Sequence, residues 1–322
     1  MLGPSEIARR PPWALLLVGS LACCTTNTTV TAAPPAATDG GGDPTGDAGG
    51  DESDTAPPAC PVSGQASIPG TIDSPDVTET SGIVVSAVNE GVYWIHNDSG
   101  DVARAFAIGS DGKVLTTLSF DKTVPLDIED VAIEDVAPGQ SYLYFGDIGD
   151  NDAVRTSIKI LRVEEPTLTS ATTLTVTSEA MTVNYPNGPH NAETLLFDPL
   201  TKDLLIATKA EGGLSEIHRI GPFAAGTRVT TEKIAEVDVL LATGGEISRD
   251  GHFIAIRNYS NSAFVWPRGD QESIADALAR PPCKLKVAAE AQGEAFAFLL
   301  ENNGYVTISE GASPALHVTT FR

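Results

Sequence analysis

Carboxylate side chains recur at one position of a pattern that appears five times along the chain. In each copy, a small or acidic pair precedes an apolar run. The shared column is Ser81, Glu129, Glu193, Glu246 and Glu294. Carboxylates that converge on one point repel one another, so either their pKa values rise or a cation neutralises them. Oxygen ligands without His or Cys favour Ca²⁺ over Zn²⁺, so the column predicts a calcium site. The alternative is that each Glu caps its own strand or bonds a neighbouring backbone.

Polar, glycine-rich loops follow the second apolar run of each copy. We predict that their side chains form a ligand-binding rim, made of His96, Asp98, Asp147, Lys209 and Arg257. Beside a bound metal, the two cations of this set could hold a phosphate or a carboxylate. The alternative is that Asp, Asn and Gly only build tight turns here. No ligand spacing is found among the remaining histidines, His190, His218, His252 and His317.

The elements that carry these residues are predicted to be almost wholly β-strands. Short runs rich in Val, Ile, Thr, Phe and Tyr alternate with clusters of Gly, Asp, Asn and Pro. One stretch, Asp270 to Arg280, is predicted to be a short helix capped by Asp270. A repeat near 50 residues with about four strands per unit is typical of a β-propeller blade. We therefore predict an all-β, five-bladed β-propeller, in which a strand around Gln65 to Thr71 completes the last blade.

The propeller arrangement decides where the chemistry would lie. The first strand of each blade lines the central channel, and consecutive strands are antiparallel, so the column and the five loops would share one face. The rival arrangement is a β-sandwich with a small second domain, which gives no reason for a repeated Glu column.

The N-terminus predicts export and lipid anchoring. Residues 1–22 have Arg9 and Arg10, then an apolar run that is too short to span a bilayer, as in a secretory signal peptide. Gly19-Ser20-Leu21-Ala22-Cys23 resembles a bacterial lipobox, so we predict lipidation of Cys23. The protein would then be an exported, membrane-anchored lipoprotein of the outer membrane, the periplasm or the cell surface. The alternative is an ordinary cleaved signal with a chance cysteine.

Composition divides the rest of the chain. Residues 23–59 contain Thr, Ala, Pro, Gly and Asp without aromatic residues, so we predict a disordered acidic linker before the propeller domain of residues 60–322. A formal net charge of −23 repels phosphate backbones, and no nucleic-acid partner is expected. We expect a monomer. In an oxidising compartment, Cys60 and Cys283 are predicted to form a disulfide.

The column resembles the central calcium site of the five-bladed apyrases, the calcium-activated nucleotidases, which carry Ser, Glu, Glu, Ser and Glu on their inner strands. His190-Asn191-Ala192-Glu193 is similar to their third-blade motif, with Lys209 in place of an Arg. Ala255-Ile256-Arg257-Asn258 is similar to their fourth-blade Lys segment, and Glu246 stands where the family has Ser. The segments around His96 and Gly146 are similar to bacterial secreted propeller lipoproteins termed phytase-like or esterase-like. The resemblance implies a calcium-binding propeller and the hydrolysis of phosphate esters or anhydrides.

Two functions are compatible with these features. The first is a binding or scaffold module in which Ca²⁺ locks the blades together and one face binds a small-molecule or protein ligand. The second is a calcium-dependent hydrolase of phosphate esters or anhydrides, in which the metal polarises a phosphoryl oxygen and Lys209 and Arg257 hold the remaining charge. The first is favoured, because no rim base has an orienting partner and the negative field opposes polyanionic substrates.

Overall fold

The strands form five sheets arranged in a ring in the computed structural model, which describes residues 56–121 and 123–322. The predicted signal peptide, the lipidation site Cys23 and most of the predicted linker lie outside the described residues. The first half of the chain supplies β1 (Ser63–Thr71), β2 (Thr80–Val85), β3 (Val92–Asn97), β4 (Arg104–Gly109), β5 (Val114–Asp121), β6 (Ile128–Ala137), β7 (Gln140–Asp147), β8 (Ile158–Glu164), β9 (Thr173–Thr177), β10 (Glu179–Asn184) and β11 (Ala192–Phe197). The second half supplies β12 (Leu204–Thr208), β13 (Ser215–Gly221), β14 (Arg228–Thr230), β15 (Glu232–Val237), β16 (Ala242–Ile247), β17 (Phe253–Asn258), β18 (Ser262–Pro267), α1 (Ile274–Leu278), β19 (Cys283–Lys286), β20 (Gly293–Phe298), β21 (Gly304–Ser309) and β22 (Ala315–Phe321).

Each sheet is one blade of a five-bladed β-propeller, as predicted. From the channel outwards, the strand orders are β2-β3-β4-β5-β9, β6-β7-β8-β10-β14, β11-β12-β13-β15, β16-β17-β18-β19 and β20-β21-β22-β1. The innermost strands β2, β6, β11, β16 and β20 each contact the next around the ring, and β20 contacts β2. The ring is closed by β1, which pairs with β22 as the outer strand of the fifth blade, so the predicted closing strand is confirmed.

Two blades have a fifth strand, which the sequence pattern of about four strands per blade does not predict. Strand β9 pairs in parallel with β5 of the first blade, and β14 pairs in parallel with β10 of the second blade. In sequence, each of these strands lies between two strands of the following blade. In space, it pairs at the outer edge of the preceding blade. An added strand hides backbone groups that an exposed edge would otherwise present to other chains.

The hydrophobic core consists of five clusters, one between each pair of neighbouring blades. Between the first and second blades, for example, Trp94 of β3 packs in one cluster with Phe145 of β7. Both faces of most inner strands are buried, and the second halves of β2 and β11 are accordingly apolar at consecutive residues instead of alternating ones. Apolar packing therefore holds the blades at fixed positions around the channel.

Two smaller features refine the predictions. The helix is shorter than expected, because Ser273 and not Asp270 is its cap: the Ser273 hydroxyl accepts a hydrogen bond from the Asp276 amide. The predicted Cys60–Cys283 disulfide is present, with a Cα–Cα distance of 5.8 Å. Within the described part of the chain, no helix is both long and apolar enough to cross a membrane.

Candidate metal centre

The five inner strands share one irregularity near their N-terminal ends. In each blade, the pairing between the first and second strands contains a β-bulge, where one extra residue of the inner strand stands between two paired ones. Bulges re-aim side chains and are frequent next to functional sites. The extra residues are Ser81, Glu129, Glu193, Thr243 and Glu294. The same β-bulge therefore recurs in all five blades, and it places these five side chains in equivalent positions around the ring.

The fourth position of the column is Thr243, and the predicted assignment of Glu246 to this position is wrong. In β16, Ala242 pairs with Asn258 and Gly244 with Arg257, which leaves Thr243 as the bulged residue. Glu246 lies three residues further along the strand, opposite Ala255. Its Oε2 accepts a hydrogen bond from the Phe298 amide at 2.5 Å, and its Oε1 is buried without a hydrogen-bond partner among the described residues. The chain thus has a hydroxyl where the resemblance implies one.

The two hydroxyls of the column connect neighbouring blades. The Ser81 hydroxyl donates to the carbonyl of Glu129 at 2.5 Å, and the Thr243 hydroxyl donates to the carbonyl of Gly293 at 2.8 Å. Each bond runs from one inner strand to the next and is buried. These residues stabilise the ring at the level of the column, whereas the three carboxylates carry its charge.

Three carboxylates, only one of which belongs to the column, lie close together where β3 ends and β6 begins. One oxygen from each of Asp98, Asp127 and Glu129 lies within 4.8 Å of the other two. Asp98 follows β3 of the first blade, while Asp127 and Glu129 belong to the start of the second. A Cβ on Gly149 would lie 2.1 Å from Glu129 Oε1 and 2.2 Å from Asp127 Oδ2, so only glycine leaves these two oxygens their place. Sequence reasoning missed Asp127, because it precedes the repeated column.

Asp147 holds Asp127 in position from below the surface. Its Oδ1 accepts hydrogen bonds from the amides of Leu126 and Asp127 at 3.2 and 3.0 Å, and from Arg155 Nη2 at 2.8 Å. Arg155 Nη1 also donates to the Gly149 carbonyl at 2.6 Å. Asp147 is fully buried, so this predicted rim residue orients the site and is not itself exposed to a ligand.

Lys209 supplies a positive charge at the centre of the carboxylates. Its Nζ donates to Glu193 Oε1 at 2.6 Å and lies 5.5 Å from the centre of the Tyr259 ring. Burial alone would lower the pKa of Lys209, but the charges of Glu193, Glu294 and Glu129 raise it above its usual value. Lys209 is therefore ionised and partly neutralises the cluster, and a fifth of its side chain remains exposed.

One lysine does not balance the acids around it. Burial raises the pKa of Asp127 to about 6, with Asp98 adding to the shift. Burial and then the charge of Glu193 raise the pKa of Glu294 to about 9. The pKa of Glu193 rises to about 7 through burial in spite of Lys209, and that of Glu129 rises well above its usual range through burial and Glu193. At neutral pH, the cluster therefore holds protons or excess negative charge.

Two other predicted rim residues are also fully buried. His96 packs edge-on against Phe145, and burial lowers its pKa to about 4, so it is neutral. Arg257 Nη1 donates to Glu290 Oε2 and to the carbonyl of Ala295, both at 2.9 Å. The guanidinium is therefore part of an ion pair between the fourth and fifth blades, and its predicted exposure at the rim is wrong. The alternation of side chains along a strand places these residues between blades.

The residues that follow the second strands lie at one end of the channel, its mouth, and all of them except Ile148 are partly exposed. They are Asp98, Ile148, Lys209, Tyr259 and Glu310. Burial and the charge of Asp98 raise the pKa of Glu310, which places a further acid near the same group. Of the five predicted rim residues, Asp98 and Lys209 lie at the mouth.

The donor set fits a hard divalent cation. Calcium takes six to eight oxygen ligands at about 2.3–2.6 Å, so two ligands of one ion lie up to about 5 Å apart. The 4.8 Å limit for Asp98, Asp127 and Glu129 is within this span. Glu294, outside this group of three, has a buried Oε2 that has no hydrogen-bond partner in the described ranges. No imidazole or thiolate belongs to the group of three, which disfavours zinc at this position.

The sequence matches no protein-family model, and a search of curated proteins gives no match either. The five-bladed propeller is seen directly in the structure. The resemblance to the calcium-activated nucleotidases and to the phytase-like and esterase-like propellers stays a prediction.

Proposed function

We propose that the protein is an exported, lipid-anchored binding module whose β-propeller takes one divalent cation, Ca²⁺, at the channel mouth. The observation that carries the proposal is the convergence of Asp98, Asp127 and Glu129, with oxygens within 4.8 Å of one another, in an environment that raises the pKa of Asp127 and Glu129. A cation there replaces protons and removes the repulsion among the carboxylates.

The cation would also have a mechanical role. Asp98 belongs to the first blade and Glu129 to the second, while Glu193 and Glu294 come from the third and fifth. A single ion held by Asp98, Asp127 and Glu129 would join the first two blades more firmly than the apolar packing and the Ser81 hydrogen bond between them. This supports a scaffold whose mouth is rigid when Ca²⁺ is bound and in which Lys209 and Tyr259 are available to a small-molecule or protein ligand.

Calcium binding is tested by calorimetric titration and thermal melting of the full chain. Saturating Ca²⁺, at about 100 times its dissociation constant, should stabilise the fold by about 2.7 kcal/mol, which corresponds to a melting temperature about 5 °C higher. Glu129→Gln should weaken binding at least tenfold, and it should fold well because the pKa of Glu129 already favours the neutral form. Glu246→Gln is the matched control, since Glu246 is equally buried but lies outside the group. Equal weakening by both variants, or no calcium effect at all, would contradict the proposal.

Anchoring is tested separately, because it concerns the N-terminus alone. With Cys23 acylated, the wild-type protein should incorporate a labelled fatty acid and sediment with membranes, whereas Cys23→Ser should do neither. Cys24→Ser is the control on the neighbouring cysteine. Labelling that survives Cys23→Ser would contradict lipidation at this residue.

A hydrolase acting on phosphate esters or anhydrides is the second candidate, and one observation favours it. Lys209 places a partly exposed ammonium beside the proposed cation site, where it could hold a phosphate oxygen. A panel of nucleotides and phosphate esters, assayed with Ca²⁺, should then show turnover that Lys209→Ala removes. Turnover that is absent, or that is unchanged in this variant, would leave the binding module as the function. Arg257 does not support the hydrolase, because it is buried in its pair with Glu290.

A further inference from the structure

A second group of metal-ligating side chains lies in the third blade, two strands out from the channel. Glu216 and His218 are two residues apart on β13, so their side chains are on the same face of the strand. His190 reaches them from the segment that precedes β11. His218 Nε2 lies 2.8 Å from Glu216 Oε2, and His190 Nε2 lies 3.7 Å from the same oxygen. One ligand atom from each of the three lies within 4.8 Å of the others.

These distances suit a small tetrahedral metal ion. Zinc binds imidazole nitrogen and carboxylate oxygen at about 2.0–2.2 Å, which sets neighbouring ligand atoms about 3.3 Å apart. The separations of 2.8 and 3.7 Å lie on either side of this value, so side-chain shifts of a few tenths of an ångström would admit the ion. Two nitrogen ligands favour zinc over calcium, which prefers oxygen.

The atoms of these side chains that would not face the metal already have partners. His218 Nδ1 lies 3.0 Å from the hydroxyl oxygen of Thr231, which can accept its proton and leave Nε2 free to bind a metal. Glu216 Oε1 accepts a hydrogen bond from Lys233 Nζ at 2.9 Å. The two atoms that remain for a metal, His218 Nε2 and Glu216 Oε2, lie 2.8 Å apart and face one position.

Tyr185 fixes both rings and leaves a polar atom without a partner. Its ring meets His190 and His218 edge-on, each at a centroid distance of 4.9 Å. Its hydroxyl is buried and makes no hydrogen bond to any described residue. The Tyr185 ring therefore packs against both imidazoles and limits their rotation.

We propose that His190, Glu216 and His218 bind one Zn²⁺ ion, with the remaining coordination position open. His190 and Glu216 border an open cleft of about 300 Å³ that also reaches Lys209, so water or an exogenous anion can take the open position. Three protein ligands with one open position are the arrangement of zinc ions that bind further ligands. This site is separate from the calcium site proposed at the channel mouth and takes a different class of metal.

Asn187 contacts two of the atoms that are proposed to bind the metal. Its Oδ1 lies 2.8 Å from His190 Nε2, and its Nδ2 donates to Glu216 Oε2 at 3.3 Å. Zinc binding to His190 Nε2 has to break the first of these contacts. Asn187→Ala is therefore expected to bind zinc severalfold more tightly than the wild type, which is the opposite of the effect of removing a ligand.

The test uses the full chain after chelator treatment, with Zn²⁺ titrated against a chromophoric chelator in excess Ca²⁺. The wild type should bind one Zn²⁺, and His190→Ala should bind it about 100-fold or more weakly, because a ligand is lost. His190 is partly exposed, so this variant should keep the melting temperature of the metal-free protein. His252→Ala is the matched control: His252 also contacts two carboxylates, of Asp250 and Asp270, but among the described residues it belongs to no group of three close metal-ligating side chains.

Cobalt gives an independent reading of the geometry. Co²⁺ in the wild-type site should show the strong visible absorption of tetrahedral coordination, and this band should disappear in His190→Ala and in His218→Gln. Calcium binding should be unchanged in His190→Ala. Zinc binding that persists with full affinity in His190→Ala, or that is lost in Glu129→Gln instead, would overturn the proposal, as would the absence of a tight site in the wild type.

Discussion

The Nζ atom of Lys209 lies 2.6 Å from Oε1 of Glu193, at the mouth of a channel lined by the carboxylates of three other blades. The chain thus carries its own cation at the place where the sequence predicts a metal. Lys209 and a bound Ca²⁺ would each reduce the electrostatic repulsion among Glu129, Glu193 and Glu294. The pKa of Glu294 is still about 9 with Lys209 present, so the lysine neutralises the carboxylates only in part and a second cation could bind.

Replacing Lys209 by Met should strengthen calcium binding. Removing a positive charge next to the site makes it more negative, and we expect the calcium dissociation constant to fall about tenfold. The metal-free protein should lose on the order of 1–3 kcal/mol of stability, because Glu193 loses its partner. Lys202→Met is the control, since Lys202 is half exposed and its ion pair with Glu134 is long, at 3.8 Å. Weaker calcium binding in Lys209→Met would show that Lys209 supports the metal instead of competing with it.

Glu246 should make the fold less stable as the pH rises. Burial raises its pKa from the ordinary 4.5 to about 7. The folded protein therefore holds a proton that the unfolded chain releases, so the stability contributed by the neutral form is complete below pH 4.5 and is lost between pH 4.5 and 7. The loss from this group is about 3 kcal/mol. Glu246→Gln has no such titration, and its unfolding free energy should exceed that of the wild type at pH 8.

The measurement is urea unfolding at pH 5 and pH 8, with Glu90→Gln, at an exposed position, as the control. The difference between wild type and Glu246→Gln should widen with pH, while the control tracks the wild type. If the Glu246→Gln advantage were the same at both pH values, Glu246 would not ionise in this range. Calcium affinity should not change in this variant, because the strand register removes Glu246 from the column.

Arg257 should matter for stability and not for ligand binding. Both partners of its pair with Glu290 are almost completely buried, and a Cβ on Gly293 would lie 1.8 Å from Arg257 Nη2, so the guanidinium fills its site closely. Arg257→Met leaves the Glu290 carboxylate buried without its partner, which should cost about 3–5 kcal/mol. The double variant Arg257→Met/Glu290→Gln should recover much of this loss, because no buried charge remains.

Chemical unfolding measures this cost. Lys113→Met is the control, because its pair with Asp111 is exposed and its loss should leave the unfolding free energy unchanged. An Arg257→Met protein of wild-type stability would contradict the structural role and would favour the ligand-binding role that the sequence predicts for Arg257.

The architecture could be predicted from the sequence because it repeats. Five copies of one apolar pattern give the blade number, and the strand predicted around Gln65 to Thr71 completes the last blade by pairing with β22. The fifth strands β9 and β14 could not be predicted, because parallel pairing with a neighbouring blade leaves no mark on the local pattern. Such contacts depend on which edges are free after the blades have assembled.

The site was less accessible to sequence reasoning, because it depends on strand register. Gly245-Glu246 looks like Gly293-Glu294, but the bulge in β16 falls at Thr243, and only the pairing with β17 reveals it. Likewise, His190 and His218 are distant in the sequence and have no ligand spacing. The pairing of β11, β12 and β13 within one sheet brings them together. A one-residue change in register reverses the face that a side chain occupies, and composition does not encode this.

The disulfide should protect the closure of the ring more than it protects the ring as a whole. Cys60 precedes β1, which completes the fifth blade, and Cys283 begins β19, the outer strand of the fourth blade. The bond spans 223 residues of sequence, and on the chain-entropy model such a link stabilises by on the order of 5 kcal/mol. Cys60→Ser/Cys283→Ser should therefore unfold at a clearly lower urea concentration.

A local measurement can distinguish the effect of the disulfide on ring closure from its effect on global stability. Strand β1 is an outer strand with an irregular register and several exposed residues, so without the bond it can detach while the inner strands stay folded. Amide hydrogen exchange in Ser63–Thr71 should then accelerate far more than exchange in β20, which is buried throughout. Equal acceleration in both strands would mean that the bond acts only on the unfolded chain. Acceleration confined to β1 would show that this end of the ring opens first, and that the cysteine pair restrains the opening.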